Sequence, residues 1–296
     1  MLKDYLQLAR PHHWVKNFAV FAAPLFALKV AEPQPLVAAL TVFAAFCLIS
    51  SASYAINDAV DHRADALHPQ KRNRPVARGA ITPLGAFAFA AALVIGGALL
   101  VRWHLPISVA YILAGYFVMI LAYSAALKER PILDVIILAT GFVLRAAAGA
   151  EAVRVAISPW LLVCTFTLCM FLGFGKRRCE LASFGNSAEA ASHRATLLRY
   201  TPELLNHLIS VSAGIAVVTF LLYTTDPSPE YHPPFRKEYL LYTLPLVAYG
   251  LFRYAMVIES GKRAGPTEII FKDWPLLATI LLWGLVVAAI IYRTAD

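Results

Sequence analysis

L-V-A-A-L-T-V-F-A-A-F-C-L-I-S-S-A-S-Y-A-I, Leu36 to Ile56, runs directly into N-D-A-V-D-H-R-A-D, Asn57 to Asp65. The first stretch contains no Asp, Glu, Lys or Arg. At about 1.5 Å per helical residue it is long enough to cross a bilayer core of about 30 Å. The second stretch puts polar groups at the end of that helix. At roughly 100° per residue, Asn57, Asp58, Asp61 and Asp65 fall within an arc of about 100° on one face. Three carboxylates so close repel one another, and each favours protonation unless a cation or water screens it. A divalent metal is the natural candidate. The competing reading is a solvated acidic turn beyond a membrane helix. What weighs against it is the basic cluster that follows at once: Lys71, Arg72, Arg74 and Arg78. Carboxylates for a metal beside cations for anionic oxygen suggest a metal-bound polyphosphate.

Outward from this stretch the chain stays apolar. Its 296 residues are 59% hydrophobic and 15% charged, which excludes an ordinary soluble domain and predicts a polytopic all-α membrane protein. Apolar runs predict nine spans, near 15–31, 36–57, 83–102, 106–126, 132–153, 158–175, 205–225, 239–258 and 274–293. Lys16 and Pro24 interrupt the first. Nine spans leave the termini on opposite sides, and the Lys/Arg distribution tests this. One side carries Lys3, Arg10 and Lys16, then Arg63 with the cluster through Arg78, then Lys128 and Arg130. It also receives Lys176, Arg177, Arg178, Arg194 and Arg199, and finally Arg253, Lys262, Arg263 and Lys272. The other has Lys29, Arg102, Arg154, Arg236, Lys237 and Arg293. The N-terminus is thus predicted cytoplasmic and the C-terminus outside, in a single membrane domain, residues 1–296.

The net charge of +8 is accounted for by this topology, and nucleic acid is a poor explanation for it. Trp14, Trp103, Trp160 and Trp274 fall near predicted helix ends, where indoles anchor at the interface, whereas Trp283 lies within its span. Cys47, Cys164, Cys169 and Cys179 lack the paired spacing of a metal or redox motif and read as small buried hydrophobes. The eight His residues form no ligand pattern.

Other polar residues fall on the same predicted membrane face. R-P-H-H-W-V-K-N, Arg10 to Asn17, offers Lys16 either to the interface or to a phosphate at the mouth of a cavity. Thr82 and Pro83 provide an N-cap and first-turn proline for the next helix. In Y-S-A-A-L-K-E-R-P-I-L-D, Tyr123 to Asp134, Lys128 and Arg130 suit phosphate oxygens, Asp134 suits a metal and Tyr123 is a donor. G-F-V-L-R-A-A-A-G, Gly141 to Gly149, is a small-residue surface for close helix approach. Arg145 interrupts it roughly 21 Å along the helix from Pro131, as a deep substrate contact or a buried structural ion pair. Lys176, Arg177 and Arg178 suit a phosphate, the helix dipole or the inside rule. The fourth loop, Gly261 to Asp273, is charged enough to close the mouth.

Together these stretches resemble the UbiA-type intramembrane prenyltransferases, a family of nine-helix proteins with two acidic motifs that hold magnesium and a diphosphate. N-D-x-x-D-x-x-x-D at Asn57, Asp58, Asp61 and Asp65 is similar to the first motif. Tyr123 to Asp134 stands at the second but departs from its paired-Asp pattern. With R-P-x-x-W-x-K-N, Y-S-x-x-L-K, G-F-x-L-R-A and G-K-R-R, the chain resembles the polyprenyl-phosphate phosphoribosyltransferase branch. Members of that branch, decaprenyl-phosphate phosphoribosyltransferases, transfer 5-phosphoribose from phosphoribosyl diphosphate (PRPP) to a lipid phosphate for cell-envelope polysaccharide synthesis.

The resemblance implies a Mg²⁺-dependent enzyme of the cell membrane with a central cavity open to the cytoplasm. It also implies metal ligands Asn57, Asp58, Asp61, Asp65 and Asp134. Asp58, Asp61 and Lys128 would be catalytic, with Lys16, Asn17, Arg72, Arg74, Tyr123, Lys128, Arg145, Lys176, Arg177 and Arg178 binding substrate. A diphosphate, a 5-phosphate and an acceptor phosphate together demand more cations than an aromatic prenyltransferase needs, and the four basic loops agree with that demand. Prenyl transfer to a quinone-precursor ring is the alternative enzyme reading. An ion-coupled transporter is a third, without a visible inverted repeat to support it. The oligomeric state stays open.

Overall fold

A computed structural model describes residues 1–67, 71–183, 197, 199–228, 233–259 and 266–295. Among these residues there is helix and no strand. In order come α1 (Leu2–Ala9), a 3₁₀ segment (Pro11–Phe21), α2 (Ala22–Phe26), α3 (Pro33–Val60), α4 (His62–Leu67), α5 (Pro83–His104), α6 (Ile107–Ala125) and α7 (Leu133–Ala152). Then follow α8 (Pro159–Ser183), α9 (Pro202–Thr225), α10 (Leu244–Glu259, preceded by a 3₁₀ turn from Lys237), α11 (Pro266–Lys272) and α12 (Trp274–Thr294). Eight of the described helices are long and apolar enough to cross a membrane, counting the turn from Lys237 with α10. They reproduce the predicted runs from the second onward to within a few residues, except that α8 continues eight residues past the predicted end at 175 and takes Lys176, Arg177 and Arg178 into the helix. The chain is an integral membrane protein.

The predicted first span takes a different form. It folds as the 3₁₀ segment and short α2, with Leu28 at φ 56 ending the run. At about 2.0 Å per 3₁₀ residue and 1.5 Å per α residue its contour is still about 29 Å, so it lacks regular helix rather than length.

The chain divides into two compact units, Met1–Ala125 with Leu144–Val155, and Ala126–Val143 with Ala156–Asp296. In the first, α3 packs along α5. One core gathers Val20, Val42, Phe46, Ile49, Leu113, Tyr116 and Ala148, and another joins Leu8, Ala55, Ala59, Val76, Ile81 and Ala86 around the polar end of α3. Thr82 caps α5 by accepting from the Gly85 amide at 3.1 Å, as its place before Pro83 predicts. Ser50 and Ser53 turn their hydroxyls back onto the α3 carbonyls of Cys47 and Ile49. Both hydroxyls are thereby satisfied within the helix in an apolar setting. In the second unit, Phe171, Phe174, Leu205, Tyr254 and Ile258 form the core, and Trp283, inside its span as predicted, donates to Thr243 Oγ1 at 3.2 Å.

Candidate functional site: the acidic end of the third helix

α3 ends at Val60, and α4 begins at His62. The hydrogen-bond spacing of a helix continues through the join: the Asp61 amide donates to the Asn57 carbonyl and the Asp65 amide to that of Asp61, both at 2.9 Å. The four polar residues therefore keep the single face that ideal helix geometry predicts. Asp58 and Asp65 are buried, and Asn57 and Asp61 are half-buried.

Two carboxylates of this face converge on one cation. Arg74 Nη1 donates to Asp58 Oδ1 at 3.1 Å and to Asp65 Oδ2 at 2.6 Å. Arg10 Nη2 donates to Asp58 Oδ1 at 2.6 Å, and Lys71 Nζ lies 3.8 Å from Asp65 Oδ1. Arg10 reaches inward because it ends α1 at φ 53, an uncommon backbone for a residue with a side chain, immediately before Pro11. Its guanidinium also lies 4.9 Å from the centre of the Tyr54 ring. The Ser51 hydroxyl, donating to the Ala9 carbonyl at 2.8 Å and accepting from Trp14 Nε1 at 3.0 Å, fixes this turn to α3. Trp14 is therefore pinned to a neighbouring helix as well as placed near a helix end. Arg78 pairs with Asp4, whose carboxyl is held below its usual range by the N-terminal ammonium and by Arg78. Arg72 is exposed.

The remaining predicted residues of this unit sort by depth. Lys16 is exposed and Tyr123 half-buried. Asn17 is buried; it accepts from Arg145 Nε at 2.8 Å and donates toward Cys47 Sγ at 3.3 Å. Arg145 also donates to the Tyr116 hydroxyl at 2.7 Å and stacks over that ring at 4.6 Å. These contacts, made through neutral partners, stitch α7, α6 and the 3₁₀ segment together.

In the second unit Asp134 is fully buried. Its Oδ2 accepts from Arg177 Nε at 2.9 Å and its Oδ1 from the Tyr200 hydroxyl at 2.9 Å. Tyr200 in turn accepts from the amide of Ile132, a β-branched residue held at φ 67. Burial, with the Asp134 carboxylate beside it, pushes the Tyr200 hydroxyl well above the usual phenol range, so it remains a donor. Arg177 also pairs with Glu180. Lys176, exposed, lies 3.7 Å from Glu180, and Arg178 Nε donates to Asn206 Oδ1 at 3.3 Å. Lys128 is half-buried in the turn Leu127–Glu129. Of the predicted closing loop, Gly261 to Asp273, residues 261–265 lie outside the described residues, and the rest forms α11, Pro266–Lys272, and the cap of α12.

Arg10 and Tyr200 are the residues that reading the sequence missed as site contacts. Arg10 stood only in the R-P-x-x-W-x-K-N run and among the cytoplasmic-side cations, and Tyr200 carries no signal beyond being a tyrosine next to a helix start.

The donors suit magnesium. Among the described residues no three His, Cys, Asp or Glu side chains converge as a complete cage. Mg²⁺ does not require one, since it is commonly held by one or two carboxylates with water and substrate phosphate completing its shell. Asp58 and Asp65 supply two hard oxygens around one point, which the Arg74 guanidinium, a cation, fills.

An all-helical membrane protein with such an acidic helix end is the class that fold and site define. The chain belongs to the UbiA prenyltransferase family, whose sequence profile matches residues 18–276. It is 32% identical to the decaprenyl-phosphate phosphoribosyltransferase of Mycolicibacterium smegmatis, over 99% of this chain and 93% of that protein. It is 31% identical to the protein of the same name from Corynebacterium glutamicum, over 97% and 86%. Its fold is similar to a UbiA homolog from Archaeoglobus fulgidus bound to GPP and Mg²⁺, with a TM-score of 0.70 at 19% identity, covering 98% of this chain and 99% of that one.

Proposed function

We propose that this chain, acting as one membrane transferase, moves 5-phosphoribose from PRPP to decaprenyl phosphate or a similar polyprenyl phosphate. Diphosphate is released. The observation that carries the reading is the near full-length likeness to two relatives with that named activity. The geometry agrees, because Arg10, Arg74 and Lys71 crowd the carboxylates at the end of α3, giving a site for anions as well as for a cation.

In the reaction the bond from ribose C1 to the diphosphate oxygen breaks, and a lipid phosphate oxygen bonds to C1. The acceptor oxygen is already anionic near neutral pH, so no strong general base is needed, in keeping with a site of Asp, Asn, Arg and Lys. Asn57, Asp58, Asp61 and Asp65 would hold Mg²⁺, which when bound neutralises charge on the departing diphosphate. Arg74 and Lys71 are placed to turn from the carboxylates to phosphate oxygens, while Arg10 keeps Asp58 oriented. Lys16 and Arg72, both exposed, suit the outer phosphates. Asp134, with both oxygens engaged, anchors Arg177 and Tyr200. By the positive-inside rule we place the acidic end of α3 and the N-terminus at the cytoplasmic face. Counting the first segment as a crossing then leaves the C-terminus outside.

Incubating purified protein with Mg²⁺, PRPP and decaprenyl phosphate tests the reading. The expected product is a phosphoribosylated lipid, identified by mass spectrometry. No such lipid, together with prenylation of an aromatic acceptor from a polyprenyl diphosphate, would overturn it.

A further inference from the structure

Within the first unit, an apolar cavity of about 650 Å³ opens between the second half of α5 and the first half of α6, with Ile49 of α3 at its floor. Its origin lies in side-chain size. Gly97 lets α5 settle against α3, since a Cβ there would stand 3.3 Å from the Ile49 side chain. Ala98 on α5 and Ala110 and Ala114 on α6 form its walls, where larger residues would have filled the gap. Arg102 is the one charged residue lining it. Arg102 is exposed, and among the described residues it makes no hydrogen bond or ion pair.

Position decides what fits. Arg102 stands in the last turn of α5, about 28 Å along that helix from Pro83, so it lies at the membrane face opposite the acidic cluster. A solvated interfacial arginine would point away from an apolar cavity; this one lines its mouth, with Trp103 exposed beside it. From Val94 to Arg102 the groove runs about 12 Å, the length of part of one acyl chain and far short of a decaprenyl tail. Arginine at the headgroup level matches phosphate in a fork geometry.

We propose that this groove is a binding site for one anionic phospholipid of the leaflet opposite the acidic cluster, with an acyl chain against Ala98, Ala114 and Ile49 and its phosphate on Arg102. The site is separate from the transferase site and does not depend on the reading of that site.

The full chain, delipidated in detergent, can be titrated with phosphatidylglycerol or phosphatidylcholine of identical acyl chains and followed by native mass spectrometry. Phosphatidylglycerol is expected to bind tighter on the order of tenfold, which corresponds to about 1.4 kcal/mol. Arg102→Gln should abolish the preference, Arg102→Lys should keep part of it, and Ala114→Trp should remove the bound lipid of either kind. Arg293→Gln, altering an exposed arginine on α12, should change nothing. Equal binding of the two lipids by the wild type, an intact preference in Arg102→Gln, or displacement of phosphatidylglycerol by equimolar decaprenyl phosphate would each overturn the proposal.

Discussion

Gly149→Ala tests how the first segment is held. A Cβ at Gly149 would lie 1.8 Å from the Val20 carbonyl oxygen and 2.8 Å from its carbon. Carbon and oxygen come into contact at about 3.3 Å, so the 3₁₀ segment would have to retreat by about 1.5 Å. The obstacle is backbone, which cannot swing aside as a side chain can. Asn17 sits one 3₁₀ turn before Val20, and Arg145 one α turn before Gly149, so the retreat also pulls on the 2.8 Å bond between Asn17 and Arg145. Overpacking costs about 1–3 kcal/mol and the loss of a charged hydrogen bond about 1.5–3. A total of about 3–5 kcal/mol is a large share of a typical stability. Thermal or denaturant unfolding in detergent measures it, with Gly115→Ala as control, because a Cβ there meets nothing within 4 Å. Turnover should fall as well, since the displaced segment begins next to Arg10. A Gly149→Ala protein within about 0.5 kcal/mol of wild type would refute the close-contact reasoning.

Asp61→Asn removes one half-buried carboxylate of the acidic face; turnover with saturating PRPP should drop on the order of a hundredfold while thermal stability is kept. Arg74→Ala should likewise slow turnover. It should also tighten binding of Mn²⁺ alone, read by electron paramagnetic resonance, because Asp58 and Asp65 lose the guanidinium that bridges them. Asp134→Asn leaves the buried Arg177 without its carboxylate at Nε and should destabilise the protein by about 3–5 kcal/mol. The double variant Asp134→Asn/Arg177→Met should recover much of that loss in the same unfolding assay.

What the sequence made legible is local. A carboxylate-free apolar run ending in Asn57 to Asp65 has one helical outcome, and the spacing of its polar residues fixes their face, so α3 and its acidic end could be read directly. The same holds for Thr82 as a cap and for Gly149 as a point of close approach. What it hid is long-range. Arg10 lies 48 residues from Asp58, and the left-handed turn that joins them has no sequence mark, since Arg10 precedes a proline that ordinarily disfavours helical backbone. Tyr200 is 66 residues from Asp134 and reaches it through packing alone. Cations on the predicted cytoplasmic side are also ambiguous by nature, because topology and phosphate binding select the same sign. Hydrogen-bond partners separate them: Arg74 joins the acidic face, whereas Arg178 meets Asn206.

The charge at the end of α3 limits how the site can be filled. Asp58 and Asp65 pair with Arg10, Lys71 and Arg74, and Asp61 stands on the same helix face, so three carboxylates are set against three cations and the cluster is close to neutral as it stands. A divalent ion added alone would give it surplus positive charge in a partly buried setting, against the guanidinium already bridging two of its oxygens. A diphosphate added alone would meet Asp58 and Asp65 at close range. Added together, the two nearly cancel, and the phosphate oxygens offer Arg74 and Lys71 a replacement for the carboxylates they release. Cation and diphosphate are therefore expected to bind as a unit, which is the physical reason for three carboxylates matched by as many cations where a self-sufficient metal cage would have needed an excess of acid.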